Sequence, residues 1–279
     1  MSIFVPRSLC SLLVCLIGVS GPMVAAAGQS GTTVEVPAGI HHADYDRLLK
    51  RYVDARGLVD YAGWKKNAKD LESLDRYLKQ FARPGKPARG AERAASLINA
   101  YNAFVLHWIL KNFPVESIWR TDHPFRMDRY EVSGKKVSLD QIEKESLIPL
   151  IGWKAHAVLV CAARSCPPLQ RYAYRKDRVE AQIAHAYRVW LSRGDFNDYL
   201  PEKNRVEISR IFKWYAADFT TVEGGVRGVL EEYGPTEFKK FLGGSDYAIK
   251  YRAYDWGLND QGSEGKGYSR IELLWDNLF

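Results

Sequence analysis

The stretch HAVLVCAARSCPPL, His156 to Leu169, combines one histidine with two cysteines separated by four residues. These residue types allow a disulfide bridge, a thiol nucleophile with a histidine base, or a zinc site. The apolar run from Ala155 to Ala163 lacks polar alternation and predicts a strand buried on both faces. On such a strand His156 and Cys161 lie about 16 Å apart, and their odd spacing points them to opposite faces. A direct dyad needs contact near ~3 Å, so the local pair fails on a strand. The turn at Ala162–Ser165 instead folds Cys166 back beside Cys161, where a bridge closing so small a loop contributes about 2 kcal/mol. A reactive thiol at Cys161 or Cys166 needs a neighbouring cation or helix N-terminus; Arg164 and a helix starting near Pro167 or Pro168 are the candidates. Both readings stay open. Zinc is disfavoured because the strand keeps the ligands from converging and the chain has no CxxC or HxxxH. No metal or cofactor is expected.

A second cluster of polar residues lies on apolar elements. Asn99 and Asn102, three residues apart, share a helix face beside Ile98, Tyr101, Val105 and Trp108. A buried amide without partners costs about 1–3 kcal/mol, so each must hold loop backbone or orient His156 or a substrate. Asn99, Asn102 and His156 are expected to share one cleft, with His156 bonded to a polar group. Glu143, Asp218, Asp255 and Asn259 stand among Trp214, Tyr215, Phe219 and Trp256. Such segments form core edges whose acids cap turns, or floor a groove in which aromatic area surrounds a few polar groups. His107 and His185 read as surface or core-edge residues, and His41, His42 and His123 carry no motif.

Periodicity supplies the elements that must position these groups. Apolar spacing predicts helices over 44–54, 62–80 and 91–112, the last ending at Phe113-Pro114. RYEVSGKKVSL, 129–139, predicts a hairpin around Ser133-Gly134, and Ser138 with Gln141 has capping-box spacing for a helix carrying Glu143. Asp177 with Glu180 is expected to cap a helix whose face includes Val179, Ile183 and Trp190. A short strand near Arg205–Ser209, helices within 211–219, 222–233 and 236–242, and a strand through Ile249 and Tyr251 complete the chain. The expectation is one α+β domain, several helices around a small mixed or antiparallel sheet.

The 279 residues, 46% hydrophobic and 26% charged, are ample for a core. Arg7, the apolar run from Leu9 to about Val19 and the small residues Ala25, Ala26 and Ala27 have signal-peptide layout, with cleavage after Ala27. The run is shorter than the roughly 20 residues a span needs, so no stable membrane span is expected. Residues 1–27 then form the signal, 28–43 a polar leader and 44–279 the domain. Cleavage removes Cys10 and Cys15 and leaves Cys161 and Cys166 as a pair in an oxidising compartment, periplasmic or secreted. A formal charge of +7, reduced by one with Arg7, suits work near anionic envelope surfaces. Nucleic acid is not an expected partner, because the basic residues are dispersed.

Val59-Asp60-Tyr61, LINAYNAFVLHWIL at 97–110, SLDQIE at 138–143, HAVLVCAARSCPPL at 156–169, IFKWYAADF at 211–219 and YDWGLN at 254–259 occur in an order that resembles the DUF547 family, a domain of unknown function. The resemblance covers roughly residues 44–260 and implies that these segments gather around a common cleft. A fainter likeness to papain-like and transglutaminase-like enzymes departs at its essential residue, because the helix carries asparagines where the nucleophilic cysteine would stand. Two functions follow. One is an exported hydrolase or transferase acting on an amide or ester bond of an envelope small molecule, peptide or glycan. Its catalytic set is His156, Cys161 and Cys166; its binding set is Asn99, Asn102, Glu143, Asp218, Asp255, Trp256 and Asn259. The other is a non-catalytic ligand-binding or assembly domain in which a Cys161–Cys166 disulfide is structural.

Overall fold

Asp44 and Asp46 in the first turn and Lys50 and Arg51 in the last favour helix α1, Ala43–Tyr52, by complementing its dipole. The structure is a computed structural model describing residues 33–244 and 246–263. The expected signal peptide, with Cys10 and Cys15, lies outside the described residues. Helix α1 buries Tyr45, Leu48, Leu49 and Tyr52. Asp60 then caps α2, Tyr61–Lys65, by accepting from the Gly63 N–H at 2.7 Å. The single helix expected over 62–80 is broken before α3, Ala68–Ala82. Asn67 accepts from the Asp70 N–H and offers the backbone a local partner that starts a new helix. Asp70 ties α1 to α3 through Arg47 at 2.8 Å, Arg51 at 3.1 Å and the Tyr52 hydroxyl at 2.8 Å. Helix α4, Gly90–Asn112, is buried on all sides from Ala94 to Leu106 and forms the central post of the core.

Strands β1, Tyr130–Val132, and β2, Lys135–Val137, pair antiparallel through Ser133 and Gly134. Both turn residues have positive φ, 49° and 74°, the twist a two-residue hairpin needs. Ser138 and Gln141 form the expected capping box on α5, Leu139–Ile142. The chain continues through a π-helical turn, Glu143–Leu147, then α6, Ile148–Ile151, and a 3-10 segment, Gly152–Ala157.

The strand expected over Ala155–Ala163 does not form. Residues 155–157 end the 3-10 segment, and 158–163 run irregularly with one isolated bridge, Ala163 to Leu258. Asn102 stands where a neighbouring strand would. Its Nδ2 donates to the Val158 carbonyl at 2.8 Å, and its Oδ1 accepts from the Val160 N–H at 2.9 Å. Ala162, at φ 58°, then turns the chain away. Burial was legible here, but an apolar run does not distinguish a strand from an irregular segment satisfied by a side chain.

Helix α7, Val179–Leu191, follows, but Asp177 does not cap it. Its carboxylate is taken by Arg175 and Arg178. Strands β3, Asp198–Leu200, and β4, Arg205–Ile208, pair antiparallel. Helices α8, Ile211–Trp214, α9, Ala216–Phe219, α10, Gly225–Tyr233, and α11, Lys239–Gly244, cross over to β5, Ala248–Tyr251, which runs parallel to β4. The sheet order is β3-β4-β5, and the class is α+β.

Two further segments close the fold. Within the leader, Val34 and Val36 are buried, and the Ala88 N–H donates to the Val36 carbonyl at 2.9 Å. Residues 257–261 stitch distant pieces together. The Val59 N–H donates to Asn259 at 2.8 Å, the Gln261 N–H to Val59 at 3.0 Å, and the Asn259 N–H to Ala162 at 3.0 Å. The Arg164 N–H donates to Gly257 at 2.8 Å. No described helix is long and apolar enough to cross a membrane.

Candidate active site

The capping box directs α5 inward, and the π-helical turn after it presents Glu143 to the interior, 9% exposed. Such turns widen the helix locally and recur at functional sites. Glu143 Oε2 accepts from the Tyr101 hydroxyl of α4 at 3.1 Å, and Oε1 from the Tyr215 hydroxyl at 3.3 Å. Burial pushes the Glu143 carboxyl above its usual range, and nearby Asp140 adds to this. Lys144 and the two tyrosine hydrogen bonds pull against it. Burial also raises both phenols, so they remain protonated donors.

His156, 5% exposed, sits near the end of the 3-10 segment. Its ring lies 4.1 Å from the Tyr215 ring and 5.5 Å from that of Phe219. Nε2 is 2.7 Å from Oδ2 of Asp218 on α9. Burial lowers the imidazole pKa, while the hydrogen bond and charge of Asp218 oppose it. With the carboxylate accepting at Nε2, the neutral tautomer carries its lone pair on Nδ1. Tyr215 thus joins the two titrating groups, its hydroxyl on Glu143 and its ring face on His156.

Cys161 and Cys166 form a disulfide with their Cα atoms 6.2 Å apart. Joined in this way, neither sulfur is a free nucleophile. The bridge, His156 and Glu143 all line one cavity of about 370 Å³, although the strand geometry predicted His156 far from both cysteines. That expectation assumed an extended chain between them, whereas residues 158–163 are irregular. Trp119, Phe125, Trp214, Tyr254 and Trp256 give the cavity its aromatic walls, and Arg126, Asp140 and Lys144 its charged rim. A histidine shifted down and a carboxyl shifted up, both lining one largely apolar space, can do acid–base chemistry there.

Not all of the expected residues converge here. Asn102 clamps residues 158–160 as described, two residues beyond His156, and does not line the cavity. Asn99 likewise bonds both the N–H and the carbonyl of Tyr174, at 2.9 and 2.8 Å. Its Nδ2 also meets His42 Nδ1 at 3.2 Å, and that same nitrogen is 2.8 Å from the Tyr77 hydroxyl. The asparagines are therefore backbone clamps, and neither lines the 370 Å³ cavity with His156. Asp255 accepts from the Gly257 N–H at 2.8 Å, and buried Asn259 accepts from the Tyr61 hydroxyl at 2.9 Å. Both face a separate space of about 210 Å³ behind Cys166.

Sequence reasoning missed Tyr101, Tyr254, Trp119 and Phe125 as site residues. Tyr101 was visible only as part of the helix stripe, and nothing in its spacing marks a tyrosine that meets Glu143. Among the described residues, no group of three His, Cys, Asp or Glu converges as a metal site.

Residues 87–191 match the model of a family described as "Protein of unknown function, DUF547". The match runs from the loop before α4 to the end of α7. It includes both asparagines, Glu143 and the 156–169 stretch, but leaves out 59–61, 211–219 and 254–259, which the sequence resemblance had included. No curated protein and no solved structure matches the chain.

Proposed function

The chain carries a DUF547 domain, a family whose description assigns no activity, and from that premise we propose that it is an exported hydrolase or transferase using acid–base chemistry. The substrate is an ester or amide of an envelope small molecule, peptide or glycan. His156, held through Nε2 by Asp218, takes a proton at Nδ1 from an attacking water or hydroxyl. Glu143, whose carboxyl burial shifts upward, gives a proton to the leaving group from its protonated form. The aromatic walls hold the substrate body and exclude water, which strengthens both groups.

One observation carries this reading. A histidine with lowered pKa and a glutamic acid with raised pKa line the same cavity and touch the same tyrosine. Titrating groups displaced from their ordinary values and facing one cavity mark a site suited to acid–base chemistry.

The test is hydrolysis of p-nitrophenyl esters and of acylated or peptide-bearing cell-wall fragments by wild-type protein and by His156→Ala. Hydrolysis that collapses in the variant supports the reading. Equal rates, or none with any substrate in the wild type, would sink it. The Cys161–Cys166 bridge favours a second reading, a ligand-binding domain. Calorimetric binding of the same fragments without turnover selects that one. Export is a further part of the proposal, supported by the leader sequence, and N-terminal sequencing of secreted protein tests it.

A further inference from the structure

The two sulfurs of the bridge have different surroundings. Both cysteines line the cavity, but Cys161 is partly exposed whereas Cys166 is buried, 4% exposed. Two donors converge on the buried sulfur. The Cys161 N–H reaches Cys166 Sγ at 3.0 Å, and the Tyr254 hydroxyl reaches it at 3.2 Å. The same hydroxyl stands 3.4 Å from Cys161 Sγ. A disulfide sulfur is a weak acceptor, but a thiolate is a strong one. These donors therefore gain most when the bond opens and Cys166 carries the charge.

Thiol–disulfide exchange needs this asymmetry: one sulfur that an incoming thiolate can reach, and a partner whose thiolate leaves readily. The space in front of Cys161 selects the attacker. Leu159, Ile211, Phe125, Trp214 and Trp256 line a cavity of about 370 Å³, the size of a small molecule with an aromatic or aliphatic body. His156 opens on the same space and can accept the thiol proton.

We propose that Cys161–Cys166 is a redox-active bridge that reacts with small apolar thiols by exchange at Cys161. The thiol loses its proton, and its sulfur attacks Cys161 Sγ. The Cys161–Cys166 bond breaks, and its electron pair leaves on Cys166 as a thiolate. The product is a mixed disulfide between the ligand and Cys161. A second thiol attacking the ligand sulfur releases the ligand disulfide and leaves the protein a dithiol, two electrons in all. The ligand disulfide run through the reverse steps restores the bridge. This activity is separate from the acid–base reading, which uses oxidised protein and no thiol.

The experiment incubates the folded, oxidised chain with benzyl mercaptan or glutathione, quenches with acid, alkylates free thiols and maps peptides by mass. The same exchange in urea provides each thiol's reference rate. We expect the adduct on Cys161 and the alkyl group on Cys166. The folded-to-unfolded rate ratio should be larger for benzyl mercaptan than for glutathione. Tyr254→Phe, checked for an unchanged fold by circular dichroism, should slow adduct formation about tenfold, since a hydrogen bond to a charged group is lost. A merely structural bridge would not respond to that hydroxyl in its exchange rate. An adduct on Cys166, no adduct on folded protein, or an equal rate in Tyr254→Phe would overturn the proposal. Because ester hydrolysis is measured without thiol, failure of one leaves the other standing.

Discussion

In the proposed chemistry His156 acts as a base only while Asp218 occupies Nε2 and leaves the lone pair on Nδ1. Removing the imidazole with His156→Ala should therefore cut turnover by about 10²–10⁴, the span typical of a positioned proton acceptor. The pH profile gives a finer check. Burial lowers His156 below 6.5 and Asp218 opposes that shift, so the rising limb of kcat/KM should lie below 6.5. Asp218→Asn should move it lower still. Glu143 is raised above 4.5, and the acid–base reading assigns the falling limb to its loss of a proton. A rising limb at or above 6.5 would contradict the assignment. The stability signs are opposite for the two groups. The depressed histidine contributes above its unfolded value and loses that contribution as pH falls through the folded one. The raised glutamic acid contributes at low pH and loses that contribution as pH rises through its folded value. His156, Asp218 and Glu143 were each legible as polar residues in apolar segments. The pairing of His156 with Asp218 spans 62 positions and leaves no periodic trace.

At the scale of elements, Asn102 substitutes for a strand partner. Asn102→Ala leaves a buried carbonyl and a buried N–H unpaired, so we expect about 2–4 kcal/mol less stability in denaturant melts. A loss within ~0.5 kcal/mol, as at an ordinary surface site, would show that the segment holds itself. Asn99 has the same task at Tyr174 and adds the contact with His42. Burial lowers His42 to about 4, with Glu92 opposing the shift and His41 adding to it. Its contribution is present above 6.5 and is lost as pH falls toward about 4. His42→Gln should flatten that part of the stability profile, and an unchanged slope would refute this. Helix α4 and the hairpin were legible because apolar spacing and turn chemistry are local. The strand over 155–163 was misread because a side-chain amide from 53 or more positions away did the work of a sheet, which no local pattern encodes.

For the whole molecule, the leader belongs to the folding unit. Val34 and Val36 are buried, and the backbone around Val36 and Ala38 bonds the loop before α4. A chain starting at Asp44 should lose about 3 kcal/mol or more relative to one starting at Gly28, from the two valines alone. Equal denaturant midpoints would place the leader outside the domain. The α+β class was legible from the mixture of helical and alternating segments. That 254–261 returns to 57–61 and 162–164 was not, because the sequence carries only a short motif there. This long-range closure has a kinetic consequence. Val59 exchanges backbone bonds with Asn259 and Gln261 across 200 or so residues, so the pair can form only after almost the whole described chain has been synthesised. Tyr254 and Trp256, just before that seam, complete the cavity at the same late stage. Helices α1–α4 can assemble early through local contacts while the cavity still lacks one wall. Cys161 and Cys166 are 5 residues apart and Tyr254 is 88 beyond Cys166, so loop closure favours the two sulfurs meeting before the tyrosine closes over them.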